Sequence, residues 1–438
     1  MRKLKNIPIW TIIIIMLIMT LVSSNLHWSK QDSWKNIIGA DAKGYYAYLP
    51  AVFVYQDLNF GFFDEIEKVK YFDENGLYEY RAIHNGYYVN KYYVGTAVAE
   101  LPFFLAGHLL SKPLGFDADG YSKPYIISIT IGSLIYLFIG LLYLSSLLKL
   151  FEIKKWNNAF VLIAFTFGSN LFCYSIIDIG LSHLYSFTLI SFFLYHVKQY
   201  FTTFKVNHIY LIALALGLIV LIRPVNGIII LSVPFLAGSK NQLREGFRFL
   251  IGKCKFVAIL SVILGFSIVS IQFIIYKIST GSFLVYSYGE EGFNFLSPHI
   301  IDILFSYRKG LFLYTPIFLI SLLGFYFMYR ISKFQTIALS FFLIILVYIL
   351  SSWWNWWYGG SFSSRVFVDF IPFFAILLGT ALLSIKRPIP RASLISLLTI
   401  IIVLCQIQMF QYRYYFIHYE NMNMEKYWDV FLRIDLLF

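Results

Sequence analysis

Charge is scarce in this chain. Only 13% of its 438 residues are Asp, Glu, Lys or Arg, roughly half the share of an ordinary soluble protein. A soluble globular body is excluded, and so is a highly charged disordered one. Cysteine is almost missing. Cys173, Cys254 and Cys405 stand far apart, in or beside apolar runs. That excludes a disulfide framework and a cysteine metal site, and reads as small buried side chains. There is no zinc finger, basic helix or nucleic-acid module, no internal repeat, no low-complexity linker and no soluble domain. The net charge of +12 therefore points to lipid rather than nucleic acid. Lys and Arg mark cytoplasmic loops and attract anionic head groups.

Apolar runs are what the chain has instead. Hydrophobic residues make up 59% of it. The runs fall at about 8–24, 125–148, 159–177, 183–200, 208–222, 224–238, 256–277, 310–329, 334–352, 366–385 and 392–410. Many reach the ~17–25 residues that cross a bilayer as a helix. They are runs, not the alternation of a membrane barrel. The expected fold is a single all-α polytopic membrane domain over 1–438. Val22-Ser23-Ser24 is a passable signal-peptide cleavage site, but a retained signal-anchor suits a chain with ten further spans better.

A further run, 94–111, holds Glu100 and Pro102 in its middle, a poor composition for a span. Loop charge sets its reading. If it does not cross, eighteen of the 35 basic residues fall in short inner segments, from Arg2, Lys3 and Lys5 to Lys386, Arg387 and Arg391. Only Glu152 and Glu245 of the 23 acids accompany them. If it crosses, every later loop inverts. The run is therefore expected to be an interfacial helix. About eleven transmembrane helices result, N-terminus in and C-terminus out, in a cytoplasmic (inner) membrane. The outward segments are the first loop 25–124, the turns at 178–182 and Arg223, the loops 278–309 and 353–365, and the tail 411–438.

Those outward segments hold the chemistry. A first loop of about 100 residues is long enough to imply function. Its acids Asp57, Asp64, Glu65, Glu67, Asp73, Glu74 and Glu79 come with scattered Lys and read as a solvated face. Asp41 differs, in Gly39-Ala40-Asp41-Ala42-Lys43-Gly44-Tyr45-Tyr46. A carboxylate at the bilayer surface is costly unless solvated or paired, so a functional role is the default; capping of the following helix is the bland alternative. Lys91, in Asn90-Lys91-Tyr92-Tyr93-Val94-Gly95, either snorkels or meets a lipid phosphate as a point charge. His183 can donate to phosphate or sugar hydroxyls, or sit as an interfacial histidine. Arg223, in Arg223-Pro224, stands alone at an outward turn and implies an anionic partner unless it snorkels. Tyr286, Tyr288, Glu290, Glu291, Arg308 and Lys309 furnish the 278–309 loop. In Trp353-Trp354-Asn355-Trp356-Trp357-Tyr358-Gly359-Gly360-Ser361-Phe362-Ser363-Ser364-Arg365 the four tryptophans read as an interfacial belt. Its Gly-Gly-Ser turn ends in Arg365, which can bind phosphate bidentately, with Asp369 expected to fix the fork.

One isolated carboxylate, several cations and many aromatics suit a sugar phosphate on a polyprenyl chain. Tyr45, Tyr46, His183, Tyr288, Glu290 and Trp357 are the expected sugar or acceptor contacts. Lys91, Arg223 and Arg365 would hold the donor phosphate. Asp41 would take the proton of the acceptor hydroxyl as the phosphate departs.

On these motifs the chain resembles the integral-membrane glycosyltransferases of the GT-C superfamily. It resembles in particular bacterial relatives of the protein O-mannosyltransferases and of the aminoarabinose transferase that modifies lipid A. The resemblance covers most of the chain. It implies Asp41 as catalytic base and Lys91, Arg223 and Arg365 as lipid-phosphate cations, with an inverting, polyprenyl-phosphate-sugar-dependent hexosyl or pentosyl transfer to a lipid, glycan or protein. Departures are Ala42 where the mannosyltransferases carry a second acid, Ser363-Ser364 where Gly-Pro often precedes the arginine, and the lack of a large C-terminal soluble domain. No cofactor beyond the lipid-linked co-substrate is expected and no metal, although Asp117-Ala118-Asp119 has the spacing of a nucleotide-sugar metal motif. Two other functions are compatible with the composition. One is a flippase or transporter of lipid-linked sugar, which nearly charge-free span interiors disfavour. The other is a glycan polymerase or ligase with a lipid-diphosphate donor.

Overall fold

The structure, a computed structural model, describes residues 6–28, 33–72 and 76–437. Arg2, Lys3, Lys5, Asp73 and Glu74 lie outside the described residues. Among the described residues six helical segments are long and apolar enough to cross a bilayer: Ile7–His27, Lys123–Leu150, Lys255–Thr280, Lys333–Ser351, Arg365–Ser384 and Pro388–Arg413. The body is that of an all-α membrane protein. Side chains such as Val262, Ile263 and Phe266 project from Lys255–Thr280, as suits a helix whose solvent is lipid.

Other expected runs are helical but broken. The 159–177 run is two helices, Lys155–Phe167 and Leu171–Ile176. The 310–329 run is cut where Pro316 follows Thr315, giving Leu311–Tyr314, Ile317–Ser321 and Leu323–Ile331. Pro224–Ser232 is a 3₁₀ turn feeding Val233–Ala237. Residues 182–203 and 207–222 form continuous helices, Ser182–Thr203 and Asn207–Ile222. The ambiguous run is one helix, Gly95–Ser111, despite Pro102. It packs beside Lys123–Leu150 and against Asn207–Ile222. Its Glu100 is buried and accepts a hydrogen bond from Tyr185 Oη at 2.8 Å, while Leu109 and Leu110 point outward.

The first loop departs from the all-α expectation. Arg81–His84 and Tyr87–Asn90 form an antiparallel hairpin with Arg81 opposite Asn90 and His84 opposite Tyr87. Its two-residue turn is Asn85-Gly86, both at positive φ (51° and 84°), the backbone that matches strand twist in a tight hairpin. Alternating residues across an Asn-Gly pair carry that signal in the sequence. The hairpin leads directly into Lys91, Tyr92 and the Gly95–Ser111 helix.

Two close approaches fix the loop, one within it and one to the body. A Cβ on Gly44 would lie 2.3 Å from Tyr92 Cδ2, and one on Gly95 would lie 2.3 Å from the Ile222 nitrogen. The missing side chain seats the Tyr92 ring on the Gly44 backbone and lets the Gly95 backbone meet that of Leu221 and Ile222. Asn90 seals the first contact: its Nδ2 donates to the Gly44 carbonyl at 2.7 Å and its Oδ1 accepts from Tyr92 N at 3.0 Å. The second presses the start of the Gly95–Ser111 helix against the helix end that delivers Arg223.

Candidate functional site: a carboxylate facing three cations

Asp41 opens the helix Asp41–Pro50. Ala40 before it is held at φ 46°, ψ −130°, a conformation alanine adopts only at a cost of ~1–3 kcal/mol and one that tends to occur at functional sites. Asp41 Oδ1 accepts hydrogen bonds from Tyr92 Oη at 2.7 Å and Tyr78 Oη at 2.9 Å. Its Oδ2 accepts from Arg365 Nη2 at 2.5 Å. Burial alone would raise this carboxyl; the Arg365 charge and the two tyrosine hydroxyls outweigh burial and hold it down at about 2.

Arg365 begins the 3₁₀ turn Arg365–Phe370 that leads into the enclosed helix Ile371–Ser384. The turn before it is also strained, with Tyr358 and Ser363 at φ 56° and Gly359 at 65°. Lys309, buried, donates to the carbonyls of Ser361 and Tyr419 and pins that turn.

Arg223 has a separate support. His183 Nδ1 lies 2.8 Å from Asp369 Oδ1, and Arg223 Nη1 lies 3.0 Å from His183 Nε2. Arg223 Nη1 stands equally near His183 Nδ1, at 3.1 Å, so the guanidinium lies against the imidazole ring while Nδ1 pairs with Asp369. Asn226 Nδ2 donates to Asp369 Oδ2 at 2.7 Å, and Arg223 Nε stands 3.9 Å from the same oxygen. Asp369 was expected to brace Arg365. It braces His183, Asn226 and, through them, Arg223, because the 3₁₀ turn rotates it away from the Arg365 side.

Lys91 Nζ is 2.6 Å from Glu291 Oε1, and its ammonium lies 5.6 Å from the Tyr288 ring centre. The four residues Asp41, Lys91, Arg223 and Arg365 line one cavity of about 280 Å³, near the lower end of ligand pockets (~300–1,000 Å³). Its walls are aromatic. Tyr45 packs on Tyr92 with centroids 4.8 Å apart, and Tyr288 meets Trp353 edge-on at 5.7 Å.

Of the expected sugar or acceptor contacts, Tyr45 and Tyr288 line the cavity. Tyr46 turns away, donating to the Gly120 carbonyl and packing on Phe104 and Tyr121. His183 is buried behind Arg223. Glu290 and Trp357 are not in the cavity wall; Trp357 stacks under the Arg308 guanidinium at 3.5 Å. Sequence reasoning missed Tyr78 and Tyr92 as donors to Asp41 and Glu291 as partner of Lys91. Tyr92 stands in a motif already singled out. Tyr78 carries no local signal.

Asp117 and Asp119 both pair with Lys70 Nζ, at 2.8 and 2.7 Å, and Tyr71 Oη donates to Asp119 at 2.6 Å. Among the described residues no three His, Cys, Asp or Glu converge on one point that would hold a metal ion.

No protein-family model and no curated protein sequence matches the chain. Among solved structures it is similar to an archaeal oligosaccharyltransferase, AglB from Archaeoglobus fulgidus, in complex with an inhibitory peptide and a dolichol-phosphate. The TM-score is 0.46 with 13% identity over 96% of this chain. The chain spans 57% of the length of that protein. A likeness this distant carries no argument about activity.

Proposed function

We propose that this chain is a membrane glycosyltransferase of the GT-C type. It moves a sugar from a polyprenyl-phosphate donor to an acceptor hydroxyl at the extracytoplasmic face. The observation that carries the reading is one cavity in which Asp41 confronts Arg365, Arg223 and Lys91. The topology that goes with it is about eleven spans, N-terminus in and C-terminus out.

In the reaction the acceptor oxygen attacks the anomeric carbon and the carbon–oxygen bond to phosphate breaks, with inversion. The acceptor proton passes to Asp41. The departing polyprenyl phosphate gains charge, which Arg223, Arg365 and Lys91 stabilise in a partly dry site. Asp41 tied to Arg365 is a weak base. A donor phosphate competes for that guanidinium, and for Lys91 against Glu291. Drawing Arg365 toward phosphate loosens its grip on Asp41 and raises the basicity of the carboxylate when the substrate is in place. The exposed apolar side chains Phe283, Leu284, Phe295 and Leu296 of the neighbouring loop suit a cavity that receives a lipid-borne donor from the bilayer.

The test is reconstitution of the purified chain with a panel of radiolabelled polyprenyl-phosphate sugars and candidate lipid, glycan and protein acceptors, beside Asp41→Asn. Transfer by wild type alone supports the reading. Equal transfer by both removes Asp41 as base, and lipid movement without covalent product replaces the enzyme by a flippase. Transfer only from a lipid diphosphate indicates a polymerase or ligase.

A further inference from the structure

A second feature lies at the other end of the molecule. Lys255–Thr280 is a candidate span, and its Thr280 end leads into the loop that carries Tyr288 and Glu291 of the cavity. Its Lys255 end is therefore on the opposite membrane face. There the chain forms a short helix, Lys240–Arg248, and a turn, Phe249–Lys253.

One side of this helix is committed to the protein. A Cβ on Gly246 would lie 2.4 Å from Phe201 Cε1, and Tyr200 Oη donates to the Gly246 carbonyl at 2.8 Å. The other side is open. Lys240, Arg244 and Arg248 recur every four residues and so form a single basic stripe. Beside it run Phe247 and Ile251, both exposed, with Phe256 exposed at the start of the span. The stripe and the apolar row line one shallow groove of about 630 Å³. None of the three basic heads pairs with an acid among the described residues. Glu245, the acid of this helix, forms no ion pair with them, although Arg248 follows it by three residues.

Unpaired cations bordering an apolar row, next to a span end, complement one kind of occupant: an anionic phosphate with acyl chains beneath it. We infer that this groove binds the head group of an anionic phospholipid, with Phe247 and Ile251 against its chains and Lys240, Arg244 and Arg248 on its phosphate. The site is independent of the glycosyl-transfer cavity and needs nothing from it.

The experiment is native mass spectrometry of the full chain released from detergent micelles titrated with phosphatidylglycerol or with phosphatidylcholine. The wild type is expected to retain phosphatidylglycerol in preference. The triple variant Lys240→Gln, Arg244→Gln, Arg248→Gln loses that preference by about a hundredfold in affinity, at roughly a factor of five per basic residue near a phosphate. Arg244→Gln alone shows an intermediate loss, and Asp41→Asn binds as wild type. Equal retention of the two lipids, an unaltered triple variant, displacement of the lipid by millimolar inorganic phosphate, or a lipid-free dimer held by this face would each overturn the inference. A triple variant that elutes as an aggregate leaves the single variant to decide, and no loss there overturns it too.

Discussion

Arg365 Nη2 stands 2.5 Å from Asp41 Oδ2 although 324 positions separate them in the chain. Each group compensates the burial of the other. Replacing Asp41 by Asn keeps an acceptor for Tyr92 and Tyr78 but removes the carboxylate proposed to take the acceptor proton. Transfer should fall by about 10²–10⁴-fold, the usual contribution of a positioned base. The chain should still elute as a monodisperse species from detergent. Activity within about threefold of wild type in the transfer assay would remove Asp41 from the chemistry.

The same pair sets the acid side of the pH dependence. Asp41 lies at about 2, below its ordinary 3.8. A depressed carboxyl contributes stability that is complete above pH ~4 and is lost as pH falls toward 2, on the order of 2 kcal/mol. For catalysis, kcat/KM reports the free protein, so it should show no acid limb from Asp41 between pH 4 and 7. The kcat profile reports the donor complex, where a phosphate beside Asp41 raises its pKa. Its acid limb should therefore lie higher than that of kcat/KM. Profiles of both constants check this, and coincident limbs would contradict the competition for Arg365.

Glu67 titrates with the opposite sign. It is buried in the first loop and accepts from Tyr80 and Tyr121 on one oxygen, both at 2.6 Å. Its other oxygen has no hydrogen-bond partner. Burial lifts the carboxyl from 4.5 to about 7 against the pull of those two hydroxyls. The fold thus favours the protonated form, a contribution present below pH ~4.5 and lost as pH rises through 7, about 3 kcal/mol in all. Protection of the amides over residues 63–72, with the intrinsic pH dependence of exchange divided out, should be greater at pH 6 than at pH 8, and Glu67→Gln should abolish most of that difference.

The two glycine contacts give a steric test. Gly44→Ala forces Tyr92 off its hydrogen bond to Asp41, and Gly95→Ala pushes on the Leu221–Ile222 backbone that carries Arg223. Overpacking of this kind costs ~1–3 kcal/mol. Both variants should lose at least about tenfold in transfer, Gly44→Ala mainly in kcat and Gly95→Ala mainly in KM for the donor. Ala40→Gly should raise thermal stability, because glycine adopts φ 46° without the strain alanine bears.

Support of Arg223 by His183 and Asp369 predicts a binding phenotype. Asp369→Asn removes the charge that pairs with His183 Nδ1 and stands 3.9 Å from Arg223 Nε, so the guanidinium loses its support. The donor KM should rise about tenfold, with kcat changed less than threefold. A loss confined to kcat would place Asp369 in the chemistry rather than behind Arg223.

The membrane class was legible because hydrocarbon tolerates little charge and demands internally bonded backbone. Scarce charge and long apolar runs report those demands locally. The site was legible to the extent that its members break the same rule. Asp41, Lys91, Arg223 and Arg365 are charged groups in a chain that has few, and all four line one cavity. Asn85-Gly86 spoke for a hairpin that a reading tuned to apolar runs passed over.

What the linear pattern could not contain is pairing across distance. Nothing local to Tyr78 says that it points at Asp41, and nothing local to Asp369 says that its turn faces His183 instead of Arg365. Apolar periodicity likewise does not separate a helix wrapped in protein, such as Ile371–Ser384, from one wrapped in lipid, such as Lys255–Thr280, because acyl chains are as apolar as leucine. The residue types settled the solvent and the chemistry within reach. Which of those groups meet was left to packing, through glycine contacts and turns that exist only once the helices are together.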